Sequence, residues 1–127
     1  MNTTMNTTRK TQSPPWVQFY EPGVSATLSY PDLTLGGVLE ETTRKFPDHT
    51  ALLFFGKKIT YAELDRLVNR FARALAGLGV QKGDRVALML PNIPQMVIAY
   101  YGTLRLGAIA VTTNPLYHAH ELEVQLK

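Results

Sequence analysis

The stretch Lys82–Thr112, KGDRVALMLPNIPQMVIAYYGTLRLGAIAVT, decides the fold class. Lys82-Gly83-Asp84 turns the chain into Arg85–Leu90, whose VALML run is continuously apolar, as suits a parallel strand covered on both faces. Pro91-Asn92 then reads as a strand-to-helix loop, with Asn92 the candidate N-cap of a helix over Ile93–Leu106. Gly107 stops that helix, and Ala108–Thr112 is a further strand. Strand, helix and strand in this order predict a right-handed crossover between parallel strands, and the architecture is α/β.

Working outward, the segment before this unit is also regular. Thr60-Tyr61-Ala62-Glu63 is a capping box. It opens a helix in which Leu64, Leu67, Val68, Phe71, Ala72, Leu75 and Leu78 share one face at i, i+3, i+4 spacing. Arg66, Arg70 and Arg73 take the opposite side as solvated charge. Gly79 is placed to end the helix in a left-handed conformation, with Val80 packing back. Upstream, Thr50–Phe55 and Lys58–Thr60 predict an antiparallel hairpin turning at Gly56-Lys57. Thr34 caps a helix running to Phe46, which Pro47 stops.

The flanks differ in kind. Residues 1–13 have no periodicity and little to bury, and are expected to be disordered. Asn2-Thr3-Thr4 and Asn6-Thr7-Thr8 match a glycosylation pattern, but no secretory signal precedes them. Residues 14–33, PPWVQFYEPGVSATLSYPDL, combine four prolines with an aromatic content too high for a solvated linker. They predict an irregular leader that packs its rings onto something. After Asn114-Pro115, His120–Lys127 begins a helix with no cap or strand beyond it, the pattern of a domain that continues.

Composition narrows the function. Hydrophobic residues make up 45% and charged residues 18% of 127, with a net charge of +3, of which Arg9 and Lys10 supply two. No basic run points to nucleic acid. The chain contains no cysteine, which excludes disulfides and thiolate sites and is compatible with a reducing cytoplasm. The apolar run Met96–Leu104 is far short of the roughly 20 residues of a membrane-spanning helix.

Apparent site motifs fail on context. The glycines of Gly77–Gly83 follow a helix and precede a strand, the reverse of a phosphate-cradling loop. His118 and His120, two apart on a helix start, point to different sides and make no zinc pair. No serine sits on a strand-to-helix elbow. Should any surface approach a ligand, an open α/β sheet places it past the strand C-termini, around Pro91-Asn92 and Thr113-Asn114.

Five ordered segments carry a resemblance: Ile59–Leu64 (ITYAEL), Gly79–Ala87 (GVQKGDRVA), Leu90-Pro91-Asn92, Leu104–Ala108 (LRLGA) and Thr113–Tyr117 (TNPLY). Over residues 34–127 the chain resembles the beginning of the adenylate-forming, AMP-binding enzyme superfamily. Pro15-Trp16, Tyr20, Pro22-Gly23-Val24 and Tyr30-Pro31 are similar to the preamble of long-chain fatty acid:CoA ligases. The resemblance implies a partial N-terminal subdomain with a mixed or parallel sheet and flanking helices. For the parent enzyme it implies ATP, Mg and CoA, a fatty acid substrate, a homodimer, and a cytoplasmic location with at most peripheral membrane contact. The family's phosphate loop ending in Pro-Lys-Gly, its acidic residue toward the metal, its ribose-binding Asp and its C-terminal lysine have no counterpart in residues 1–127. No catalytic, cofactor-binding or metal residue is therefore expected here, and the isolated chain is expected to be inactive. His118-Ala119-His120 stands where relatives often cap the next helix with Ser or Thr. Two other readings remain: a stand-alone interaction module, and a fragment specific for another carboxylic acid.

Overall fold

In a computed structural model that describes residues 14–127, the chain divides into two units at Asp32/Leu33. The disorder expected for residues 1–13 lies outside the described residues. In the first unit, Pro15–Phe19 form a short 3-10 helix where an irregular path was expected. Pro15 needs no donor at the first helical position, and the Val17 and Tyr20 N–H groups donate to the Pro14 and Val17 carbonyls. Phe19, Leu28 and Tyr30 are exposed.

The second unit runs α1 (Leu35–Lys45), β1 (Thr50–Phe54), β2 (Lys57–Thr60), α2 (Tyr61–Gly77), β3 (Arg85–Leu88), α3 (Pro94–Arg105), β4 (Ile109–Thr112) and α4 (Ala119–Leu126). Thr34 Oγ1 accepts from Gly37 N–H at 3.0 Å and Thr60 Oγ1 from Glu63 N–H at 3.2 Å, so both predicted N-caps form. The next donors of α2 are also met: Tyr61 N–H reaches the His49 carbonyl and Ala62 N–H that of Pro47. At the other end Gly79 takes φ +89°, Gly79 N–H donates to Ala76 and Val80 N–H to Leu75. Those two bonds are a complete Schellman stop. Leu78, assigned to the buried stripe by periodicity, lies in this terminus and is exposed.

β3 and β4 pair in parallel, Arg85 opposite Ile109 through Leu88 opposite Thr112, as the crossover reading requires. β1 and β2 pair antiparallel. The parallel and antiparallel pairs form two separate two-stranded sheets, flanked by helices as an α/β subdomain requires. β3 is also shorter than predicted and covered on one face: Leu88 is buried while Ala87 and Met89 are exposed. An apolar run reports that a strand is suited to burial, and neighbours decide whether both faces receive it. α3 starts at Pro94 with Ile93 as its N-cap residue, not at Ile93 behind Asn92. A residue before proline is driven to extended backbone, and Ile93 has ψ 163°.

The hairpin turns one residue earlier than expected. Phe54 pairs with Lys57, leaving Phe55-Gly56 as the two-residue turn with φ of +45° and +77°. Both central residues at positive φ define a type I′ turn, which matches strand twist. The register follows from the core: Ile59 opposite Leu52 is buried beside Leu39, Leu64 and Val68. Packing thus overrides the turn preference, and a phenylalanine is held in the left-handed region.

The core is built where α2 crosses α3. Val68 and Thr103 are fully buried, and Ala99 and Gly102 give α3 a small-residue face. A Cβ on Gly102 would lie 2.8 Å from Phe71 Cδ1 and 3.1 Å from the Val68 carbonyl oxygen. Thr103 Oγ1 donates to the Ala99 carbonyl at 2.8 Å, so this buried hydroxyl is satisfied within its own helix. Beside it, Arg105 Nη1 donates to Asp65 Oδ1 at 2.8 Å and Asn69 Oδ1 at 2.9 Å. Arg105 Nη2 lies 3.3 Å from Glu40, so one guanidinium ties α1, α2 and α3.

Gly102→Ala is expected to destabilise the fold by about 1–3 kcal/mol despite its better helix propensity, measured by chemical denaturation, because the crowding atoms include backbone. Phe55→Asn is expected to raise stability by about 1 kcal/mol in the same measurement, because asparagine tolerates the left-handed turn position.

Candidate functional site

Because β3 and β4 run parallel, their C-termini open at the same end of the sheet. Pro91-Asn92 and Thr113-Asn114 therefore share that end, as the sequence reading placed them. Thr113 N–H continues the ladder to the Leu88 carbonyl at 3.0 Å, and its side chain is buried with Oγ1 on the Val111 carbonyl at 3.3 Å. Beyond it Asn114 organises the turn: its Oδ1 accepts from Leu116 N–H at 3.0 Å, and its carbonyl accepts from Tyr117 N–H at 3.1 Å. Asn114 is the local reason that the chain reverses after β4.

α4 is fixed to the same end. Gln125 Nε2 donates to the Thr112 carbonyl at 3.2 Å. His118 is the N-cap residue, with its N–H donating to Glu121 Oε2 at 3.0 Å. The helix thus starts at Ala119, one residue before the predicted His120, on a carboxylate supplied from its own first turn. His118, His120 and Glu121 are exposed. Among the described residues no three metal-ligating side chains converge. On the opposite loop, Ile93 N–H donates to the Pro91 carbonyl at 2.8 Å, and Asn92 is exposed.

This end of the sheet offers exposed amides and backbone groups. Histidine and glutamate are present only as a helix start. The Gly77–Gly83 segment is the helix stop described above, followed by a turn in which Gln81 N–H donates to Asp84 Oδ2 at 2.8 Å. Asp84 therefore has a structural role. A second concavity, about 470 Å³, lies along α2 between Glu63, Arg66, Leu67, Asn69, Arg70 and Arg73. Among the described residues none of these three arginines is in an ion pair. On α1, the hydrogen bond and charge of Lys45 hold the Glu41 carboxyl below its ordinary range, a solvated i, i+4 pair of little energetic weight. Sequence reasoning missed the Arg105–Asp65–Asn69 group. Its one visible signal was an arginine on a helix that is otherwise apolar.

The comparisons with known proteins agree with this geometry. The family model described as AMP-binding enzyme matches residues 39–127. A long-chain-fatty-acid–CoA ligase from Bacillus subtilis is 48% identical over 113 residues, covering 89% of this chain and 20% of that protein. One from Yersinia pestis is 42% identical, covering 87% and 20%. The chain thus spans about a fifth of the length of the curated relatives it matches. Among solved structures, O-succinylbenzoate coenzyme A synthetase (MenE) from Bacillus subtilis, in complex with AMP, superposes with TM-score 0.67 at 35% identity over 69% of this chain and 23% of that one. The Klebsiella oxytoca NpsA N-terminal subdomain, in complex with 3-hydroxyanthranilyl-AMSN, superposes with TM-score 0.71 at 29% identity over 72% and 24%.

Glu121→Ala is expected to fray the first turn of α4, with amide hydrogen exchange there speeding up by the equivalent of about 1 kcal/mol while α2 amides are unchanged.

Proposed function

The chain belongs to the AMP-binding enzyme family, and from that premise we propose that it is the N-terminal portion of an ATP-dependent, AMP-forming acyl-CoA ligase for long-chain fatty acids. The observation that carries the reading is 48% identity to a long-chain-fatty-acid–CoA ligase across 89% of this chain. Likeness to the aryl-type neighbour NpsA stands at 29%, which favours the fatty acid over an aromatic acid as substrate class.

In the proposed reaction the fatty acid carboxylate attacks the α-phosphorus of ATP and displaces pyrophosphate. The thiolate of CoA then attacks the acyl-adenylate carbonyl and displaces AMP. Attack on a free carboxylate would have to expel oxide, whereas adenylation supplies a phosphate leaving group. Charge stabilisation around the phosphates carries much of such a step. The residues of this chain do not fit the magnesium that accompanies ATP: among the described residues no carboxylate cluster gathers for it. In this reading the catalytic, nucleotide-binding and metal roles belong to other parts of the parent enzyme. Thr60, Asp84 and Arg105 of this chain hold helices and turns in place.

The same reading makes the parent a cytoplasmic enzyme that forms homodimers, with at most peripheral contact at the inner face of the membrane. Among the described residues no helix is long and apolar enough to cross a membrane.

The chain incubated with ATP, Mg, palmitate and CoA is expected to release no pyrophosphate above a buffer control, while a protein in which this segment is continued as in its relatives forms palmitoyl-CoA. Turnover by the chain alone would overturn its proposed inactivity. A continued protein that adenylates an aryl acid but no fatty acid would overturn the substrate class.

A further inference from the structure

We propose that Glu40 and Arg105 are the two halves of a clasp that docks α1 on the α2–α3 pair, and that this structure holds the clasp short of closure. One nitrogen of the Arg105 guanidinium is fully used: Nη1 donates to Asp65 Oδ1 at 2.8 Å and to Asn69 Oδ1 at 2.9 Å. Nε and Nη2 are buried and have no hydrogen-bond partner among the described residues. Those two nitrogens form one side of the planar group, the side that presents two parallel N–H bonds to a carboxylate. Glu40 Oε1 lies 3.3 Å from Nη2, near enough for an ion pair but not aligned for a hydrogen bond. The Glu40 side chain is 63% exposed and keeps the freedom to move. Closure carries its carboxylate onto the Nε–Nη2 side, where each oxygen accepts one N–H. A buried charged donor without a partner is costly, and that cost favours closing.

Without the clasp α1 is weakly held. Leu39 is its one buried side chain, whereas α2 buries Leu64, Val68, Ala72 and Leu75. Its first turn contains Gly36 and Gly37 and no acidic residue, so helix propensity and dipole both offer little there. Its internal ion pair, Glu41 with Lys45, is solvated. Docking therefore rests chiefly on two adjacent residues, Leu39 in the core and Glu40 on Arg105. The receiving side is fixed beforehand, because Asp65 and Asn69 hold Arg105 from α2 whether or not Glu40 is engaged. A mobile carboxylate facing a pre-oriented guanidinium gives α1 two states, docked firmly or released locally while the α2–α3 crossing stays intact. Arg44, one turn beyond Glu40 on α1, is the competing cation.

The test needs no ligase assay, so the clasp and the proposed reaction can fail separately. Amide hydrogen exchange is followed along α1, α2 and α3 in the full 127-residue chain. Glu40→Gln keeps the length of the side chain and removes its charge. It is expected to speed exchange in α1 about fivefold while α2 and α3 amides are unchanged. Arg105→Lys keeps a charge for Asp65 but lacks the two-donor side. In that background, with the melting transition confirming the fold, Glu40→Gln is expected to speed α1 by about twofold at most. The Arg105 Nε proton, observed by NMR in the unaltered chain, is expected to be protected from solvent exchange and to lose that protection in Glu40→Gln. The proposal is overturned if a folded Glu40→Gln variant exchanges α1 as the unaltered chain does, or if the Nε proton is indifferent to that substitution. An equal effect of Glu40→Gln with and without Arg105→Lys would also overturn it. Loosening of α1 by Arg44→Gln to the same extent as by Glu40→Gln would assign Glu40 to a pair within its own helix, and likewise overturn the clasp.

Discussion

The fold depends on how closely α2 and α3 approach one another. Val68 and Phe71 on one helix meet Ala99, Gly102 and Thr103 on the other, and at Gly102 there is no room for a single methyl group. Helix axes come this near only where one partner lacks a side chain at the crossing. α3 also lies against β3 and β4, and α2 against the hairpin. The α2–α3 crossing therefore links the parallel pair to the antiparallel one, although no strand connects the two sheets.

Around that crossing the polar groups are partly paired, with Nη1 of Arg105 hydrogen-bonded while its Nε and Nη2 are buried without a hydrogen-bond partner among the described residues. Arg105 ends α3 with its side chain 14% exposed, and it is neutralised by Asp65 and oriented by Asn69, whose amide in turn donates to Asp65. Such a group adds little net stability over a well-packed apolar substitute, yet it specifies which helix faces meet, because any other rotation leaves a charge without its partner. The contribution of Glu40, mostly exposed at 3.3 Å, is weaker and serves to extend the tie to α1.

The functional picture follows the same division between scaffold and surface. Motifs that mark the family, TYAEL and GVQKGDRVA among them, turn out to be a helix cap, a helix stop and a strand entry. They mark the family through segments whose visible roles in this chain are structural. The sheet end near Asn92 and Asn114 is shaped by backbone and amide hydrogen bonds. Among the described residues, Phe55 at the hairpin tip is the one non-glycine residue at positive φ, and it is also exposed.

What was legible in the sequence was whatever is decided within a few residues. The caps at Thr34 and Thr60, the stop at Gly79 and the periodic burial of Leu64, Val68, Ala72 and Leu75 all follow from local backbone chemistry, and the strand–helix–strand order followed from hydrophobic pattern. The start of α3 was misplaced although Pro94 itself carried the signal. Other features were not local. The hairpin register was set by burial of Ile59 against α1 and α2, the open face of β3 by which neighbours are present, and the pairing of Arg105 with Asp65 by a contact 40 residues apart. The sequence alone determined the α/β class, the family likeness and most helix ends, because these rest on short-range hydrogen bonding and pattern. Only the tertiary structure decided the Gly102 crossing, the Arg105 tie and the strained, exposed Phe55, because each is fixed by packing between segments distant in the chain.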